Sequence, residues 1–234
     1  KTQKKLSSTC LACLIRKRKW KKIVKILALA NSDSGKNTHT CCCGNLCIES
    51  RRSATILHFA CKFKPSLSTI KALIQLEPEA PSRSDARKQY PLHIAVEYGA
   101  VADVIEYLLK MSPPAAMSQD DSGNIPLHLG FISFYKENDD FDEYLSSYFE
   151  VTGKLHSCIQ ILCIAEPMSV LVGNDRGNRA LEQAFIVRAD DWSVHVITVL
   201  TVCAERGESG ACWLRELGPS LEMKKYRKRK VMPV

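Results

Sequence analysis

Three stretches of the chain repeat one phrase at a fixed interval: "TILHFACKF" at 55–63, "YPLHIAVEY" at 90–98 and "IPLHLGFIS" at 125–133. Their histidines, His58, His93 and His128, are 35 residues apart each time (93 − 58 and 128 − 93). Leu57, Leu92 and Leu127 keep the same step, as do Ile70 with Ile105 and Pro78 with Pro113. A fixed period of about 20 to 50 residues is the signature of a repeat array and constrains the fold before any local reading does.

Each unit has the same internal grammar. A short apolar stretch opens at Pro-Leu-His, where proline suits a first helical turn because its missing N–H has no partner there anyway. A second stretch carries apolar residues at helical spacing: Ile70, Leu73, Ile74 and Leu76, then Val104, Ile105, Leu108 and Leu109. A proline and a turn-rich connection such as "SQDDSGN" follow. Neither short helix buries its apolar face alone, so the expected fold is an all-α solenoid in which neighbouring pairs supply each other's core.

Thr55, Leu57, His58 and Ala60, then Pro91, Leu92, His93 and Ala95, then Gly123, Asn124, Pro126, Leu127 and His128 resemble the ankyrin repeat, with its Thr-Pro-Leu-His opening, two helices and hairpin. The chain departs from that pattern where Tyr90 and Ile125 replace the capping threonine and Ile56 replaces the proline. The resemblance implies about four repeats, at 54–88, 89–123, 124–177 and 178–205. The third contains an insertion, since Pro167 and Ile159 follow Pro113 and Ile105 by 54 residues, 35 plus 19. In the fourth, "NRALEQAF" carries Glu182 at the histidine position, and Val196, Ile197 and Leu200 are expected on its outer helix although "VHVITVLTVC" is rich in β-branched residues. Flanking these are a basic segment with a capping helix at 1–30, a Cys-rich loop at 31–53, and a terminal cap and basic tail at 206–234.

Charge is segregated. Residues 1–25 hold ten Lys/Arg and no acid, and "KKYRKRK" at 224–230 holds six. The remainder has 17 Lys/Arg against 25 Asp/Glu, a net of −8. A binding scaffold with basic interaction tails is the reading this supports. No run reaches the roughly 18 apolar residues of a membrane span, and no cleavable signal pattern is visible. The cysteine count is odd, at 11, and several cysteines fall on apolar helical faces, which favours a reduced intracellular setting, cytoplasmic or nuclear.

Chemistry is not where the histidines point. Zinc needs ligands within about 2 Å of one ion, whereas equivalent residues in stacked helices stand roughly 8–10 Å apart. Each imidazole is expected to bond backbone in an adjoining connection and lock the stack. "NSDSGKNT" lacks the first glycine of a phosphate loop, and there is no Gly-x-Ser-x-Gly. The resemblance implies a non-enzymatic protein that needs no cofactor or metal, acts on no small molecule and binds another protein; nucleic acid is disfavoured.

The partner surface that the resemblance implies is the concave face and hairpin tips: Arg87, Lys88, Tyr90, Asp120, Ser122, Asn124, Asp175, Arg176 and Arg179. The insertion, 134–153, interleaves acids with aromatics, so Phe141 and Tyr144 join this set, with Tyr90 and the inserted rings as anchors. A second reading places function in the first 50 residues. There, Trp20, Ile23, Val24 and Leu27 make one apolar face of a basic helix suited to a membrane surface or a calcium-sensor groove. Cys10, Cys13, Cys43 and Cys47 offer four thiolates for zinc, or acylation sites.

Overall fold

The computed structural model describes residues 11–30, 54–136 and 156–207. Among these residues all regular structure is helical, and the helices follow one another in five pairs in chain order. The pairs are α1 (Leu11–Arg16) with α2 (Trp20–Ala30), α3 (Ile56–Cys61) with α4 (Leu67–Leu76), α5 (Pro91–Glu97) with α6 (Ala102–Met111), α7 (Pro126–Lys136) with α8 (156–165), and α9 (Ala180–Ile186) with α10 (Asp191–Glu205). Inner helices α1, α3, α5, α7 and α9 pack in succession, and so do outer helices α2, α4 and α6. The core runs through the stack: Ile15, Ile23, Ile70, Val104, Ile159, Ala184 and Ile197 are all fully inaccessible. The chain is therefore an all-α ankyrin-like repeat fold.

The outer helices end for a common reason. Glu77, Ser112 and Glu166 each precede a proline and are extended, at φ/ψ of −134/85, −144/77 and −142/86. A following proline disfavours the helical region, so the helix stops there. Short 3₁₀ turns at Ala80–Ser82, Pro113–Ala116 and Pro167–Leu171 follow. At α10 the β-branched run does form a helix, 15 residues long. Asp190 caps it through bonds from the Ser193 amide and hydroxyl, and Val196, Ile197, Leu200 and Cys203 bury one face. Packing and capping outweigh the modest propensity deficit of valine and threonine, roughly half a kcal/mol each.

Inner helices of six to eleven residues are too short to persist alone. The histidines hold three of them. His58 Nδ1 accepts from the Thr55 amide at 3.0 Å, His93 Nδ1 from Tyr90 at 3.1 Å and His128 Nδ1 from Ile125 at 3.3 Å. With Nδ1 an acceptor, Nε2 carries the proton. It donates to the carbonyl of Gln89 at 3.0 Å, Ser118 at 2.9 Å and Asn178 at 3.0 Å. One neutral ring thus caps its own helix and bonds the connection that leads into the next pair. Thr55 adds its hydroxyl, 2.8 Å from His58 Nδ1; Tyr90 and Ile125 have no hydroxyl on Cβ to add, so there the imidazole is the cap. Glu182 reproduces only the capping half, accepting from the Arg179 amide at 2.9 Å.

Two boundaries differ from the sequence expectation. Where one capping helix is expected at the N-terminal end, there is a helix pair with repeat geometry. Its turn bonds Arg18 N to Ile15 O and Lys19 N to Leu14 O, the pattern of Gly99 to Val96 and Ala100 to Ala95. Arg18 and Gly99 share a left-handed backbone, at φ 51° and 63°. The insertion expected from residue 134 begins inside α7, which runs on to Lys136 and is 11 residues long against seven for α5.

All three histidines have their pKa pulled below 6.5, chiefly because burial penalises the charged ring, partly offset by the backbone hydrogen bonds. Protonation would also take away the Nδ1 acceptor. The unfolded chain takes up protons near pH 6.5, the folded chain only below that. Stability is therefore fully present above about 6.5 and is lost as pH falls through the folded values. The slope is about 1.4 kcal/mol per pH unit per histidine, about 4 for three. Urea midpoints should hold nearly steady from pH 7.5 to 6.5 and fall progressively below that, with this slope as the upper limit, and His128→Gln, which keeps the cap but not the reach, should flatten the fall by about a third.

Candidate functional site: the hairpin tips and the concavity beneath them

The connections between pairs fold into turns built on one carboxylate or amide oxygen. Asp85 Oδ1 accepts from the amides of Arg87 and Gln89, at 2.8 and 3.0 Å. Asp120 Oδ1 does the same for Ser122 and Asn124, both at 2.9 Å. Asn174 Oδ1 does so for Arg176 and Asn178, at 3.0 and 3.1 Å. Each turn then needs a left-handed residue, supplied by Lys88, Gly123 and Gly177, at φ 56°, 71° and 78°. Neighbouring tips are cross-linked by backbone: Asp121 N donates to Arg87 O at 3.0 Å and Asp175 N to Ser122 O at 3.1 Å. Gln119 Nε2 adds a bond to Gly173 O at 2.9 Å. The tips form a continuous, pre-ordered edge.

Between this edge and the inner helices α7 and α9 lies an open concavity of ≈ 720 Å³. Asp121, Ser122, Asp175 and Arg176 line it from the tips, and Ile132, Gln183, Ile186, Val187 and Arg188 from the helices. Ile186 and its neighbour Phe185 are each 60% exposed. The floor is thus mixed: charges of both signs beside an apolar patch that the fold itself leaves uncovered.

The residues expected at the partner surface divide on burial. Arg87, Lys88, Ser122, Asp175 and Arg176 are exposed on the tips, and Lys88 Nζ lies 3.7 Å from Asp121 Oδ1 in an open ion pair. Asp120 and Asn124 are buried and hold turns instead: Asp120 Oδ2 takes Gln89 Nε2, and Asn124 Oδ1 takes Asn174 Nδ2. Tyr90 is half-buried against the core and stacked on His93, centroids 5.9 Å apart. Arg179 is half-buried and pairs with Glu205 at 2.9 Å. Phe141 and Tyr144 lie outside the described residues. Sequence reading passed over Ile186 and Phe185. The signal was there, since Ala180, Gln183 and Ala184 set the buried arc of α9 and leave both on its far side.

The titratable groups elsewhere are occupied structurally. Burial pushes the Cys61 and Cys158 thiols up to about 12 and raises Cys163 as well, with Cys158 adding to that rise. A protonated, enclosed thiol is a poor nucleophile. His156 Nε2 sits 2.9 Å from Asp190 Oδ2 and its ring lies on Trp192, centroids 4.1 Å apart. Ser193 Oγ donates to the same carboxylate, not to the imidazole, so no hydroxyl is poised on that base. Among the described residues no three His, Cys, Asp or Glu side chains are grouped to hold a metal. Cys10, Cys43 and Cys47, candidates for zinc or acylation, lie outside the described residues, and so does the Cys13 side chain.

Residues 57–154 match the family model described as ankyrin repeats in three copies. No curated protein matches the chain. The helix pairs α1–α2 and α9–α10 extend the repeat geometry beyond that match on both sides.

A Cβ on Gly123 would sit 2.5 Å from the backbone nitrogen of Asp175, whereas one on Gly177 meets nothing within 4 Å. Both would be strained at positive φ. Gly177→Ala should therefore lose about 1 kcal/mol, and Gly123→Ala about 2 kcal/mol or more because the tip cross-link must also move. Lys88→Gly, which relieves the strained member of the set, should be neutral or gain about 0.5 kcal/mol. Urea denaturation of the three variants checks the order.

Proposed function

We propose that this chain, an ankyrin-repeat protein, binds its protein partner in the concavity between the hairpin tips at 120–124 and 174–178 and helices α7 and α9. Ankyrin repeats in general mediate protein–protein interaction and are non-enzymatic modules; what is particular to this chain is the surface it offers. The observation that carries the reading is Ile186, which lines the concavity and is 60% exposed, as is its neighbour Phe185 outside the lining, on a helix otherwise buried along its core face. An apolar anchor ringed by polar groups is the composition of an interface hot spot. Arg176, Arg188, Asp121 and Asp175 supply the rim, where they set register and exclude wrong partners more than they add affinity.

The scaffold suits the task. Tips fixed by backbone cross-links lose little freedom on binding, which conserves affinity. Arg87 and Lys88 extend the same edge by one repeat, towards the N-terminal side, and give an elongated ligand further contacts.

Affinity capture with the full chain tests this. Ile186→Glu combined with Arg176→Glu replaces two exposed side chains, so helicity and urea midpoint should be unchanged while partner recovery falls at least tenfold, about 1.4 kcal/mol or more. Unchanged recovery by a variant that is normally folded would refute the site. Asp120→Ala serves as the contrast: it should lower stability by about 2 kcal/mol through the orphaned turn amides.

A further inference from the structure

A second surface sits at the other end of the stack. Residues 16–25 hold seven Lys/Arg and no acid, and all seven cations are exposed. The ion pairs among the described residues are Arg83–Glu77, Lys88–Asp121, His156–Asp190 and Arg179–Glu205, so none of the seven is neutralised by them. The rest of the described chain has no such excess: residues 54–136 carry 8 Lys/Arg against 8 Asp/Glu, and residues 156–207 carry 4 against 6. Among the described residues the excess positive charge is therefore gathered at the α1–α2 turn and on α2. Packing seven like charges together there raises the energy of the free protein, which a facing layer of negative charge would relieve.

What accompanies the charges narrows the partner. Leu14, Ile15 and Ile23 are buried and Trp20 and Val24 half-buried, and α2 packs on α4. The apolar side chains described in residues 11–25 are thus wholly or partly enclosed, which leaves little for insertion into a bilayer. Among the described side chains the exposed large apolar ones begin at Leu76, with none in residues 11–25, so this stretch offers a protein partner no apolar anchor. Trp20 is half-buried against the core, so no free ring is offered to a nucleobase. Cation density without anchor, insertion or stacking is what a planar anionic surface requires. We infer that the terminal helix pair α1–α2 docks the protein, by charge alone and without insertion, on a bilayer surface bearing anionic phospholipid. The concavity at α7–α9 stays free for a partner in that arrangement, and this site does not depend on it.

Flotation of the full chain with phosphatidylcholine vesicles, with and without phosphatidylserine, tests the assignment. Binding should need phosphatidylserine and disappear as salt is raised. Replacing Arg18, Lys21, Lys22 and Lys25 together by glutamine should cut the partition coefficient at least tenfold, with helicity unchanged because all four are surface side chains. Absence of phosphatidylserine-dependent binding overturns the proposal, as does equal binding by the folded glutamine variant. Displacement from the vesicles by double-stranded DNA at matched negative charge would overturn it in favour of a nucleic-acid surface.

Discussion

The structure depends on a neutral imidazole used at both ends. A repeat of two short helices has two difficulties: its inner helix is below the length at which a helix persists, and its unit is too small to enclose a core. Nδ1 of His58, His93 and His128 addresses the first by accepting a first-turn amide. Nε2 addresses the second by bonding a carbonyl 25 to 50 residues along the chain. Only one tautomer, uncharged, can do both, so burial and hydrogen bonding select the same protonation state. The apolar core then forms around a spacing already set by polar bonds.

Much of this was legible in the sequence because periodic constraints leave periodic residues. The 35-residue step, the proline stops and the backbone-bonded histidines follow from it. Two things were not legible. The α1–α2 pair lacks the Pro-Leu-His opening, and what identifies it is a turn, Arg18 in a left-handed conformation bonded back to Ile15, which composition does not reveal. The proposed partner surface is harder to read, because a turn-forming residue need not be an exposed one. Asp120 and Asn124 are polar and sit in a hairpin, yet their side chains face inward to satisfy amides. Conversely, Ile186 looks like core in a one-dimensional reading and is on the surface.

The hairpin tips show the same economy as the histidines. One oxygen of Asp85, Asp120 or Asn174 accepts two amides and so fixes a tight turn, and each tip then bonds its neighbour through a backbone amide, with Gln89, Gln119 and Asn174 adding side-chain bonds. Because order comes from these three oxygens and from the backbone, the outward side chains at 87, 88, 122, 175 and 176 hold none of the turns. Such positions are free to vary in chemistry without disturbing the stack, which is what a recognition surface on a fixed frame needs.

The imidazole bonds also give the array a direction. Each of the three middle pairs reaches towards its C-terminal neighbour; the last pair, with Glu182, receives such a bond and returns none, and position 12, the counterpart of His93 one turn-register back, is alanine. In a one-dimensional assembly, where every unit feels only its neighbours, rungs concentrated at the centre make the outermost units the first to open. Among the described residues such rungs start from α3, α5 and α7 alone, so local opening of α1–α2 breaks none of them and opening of α9–α10 breaks one, whereas opening of α5–α6 breaks two.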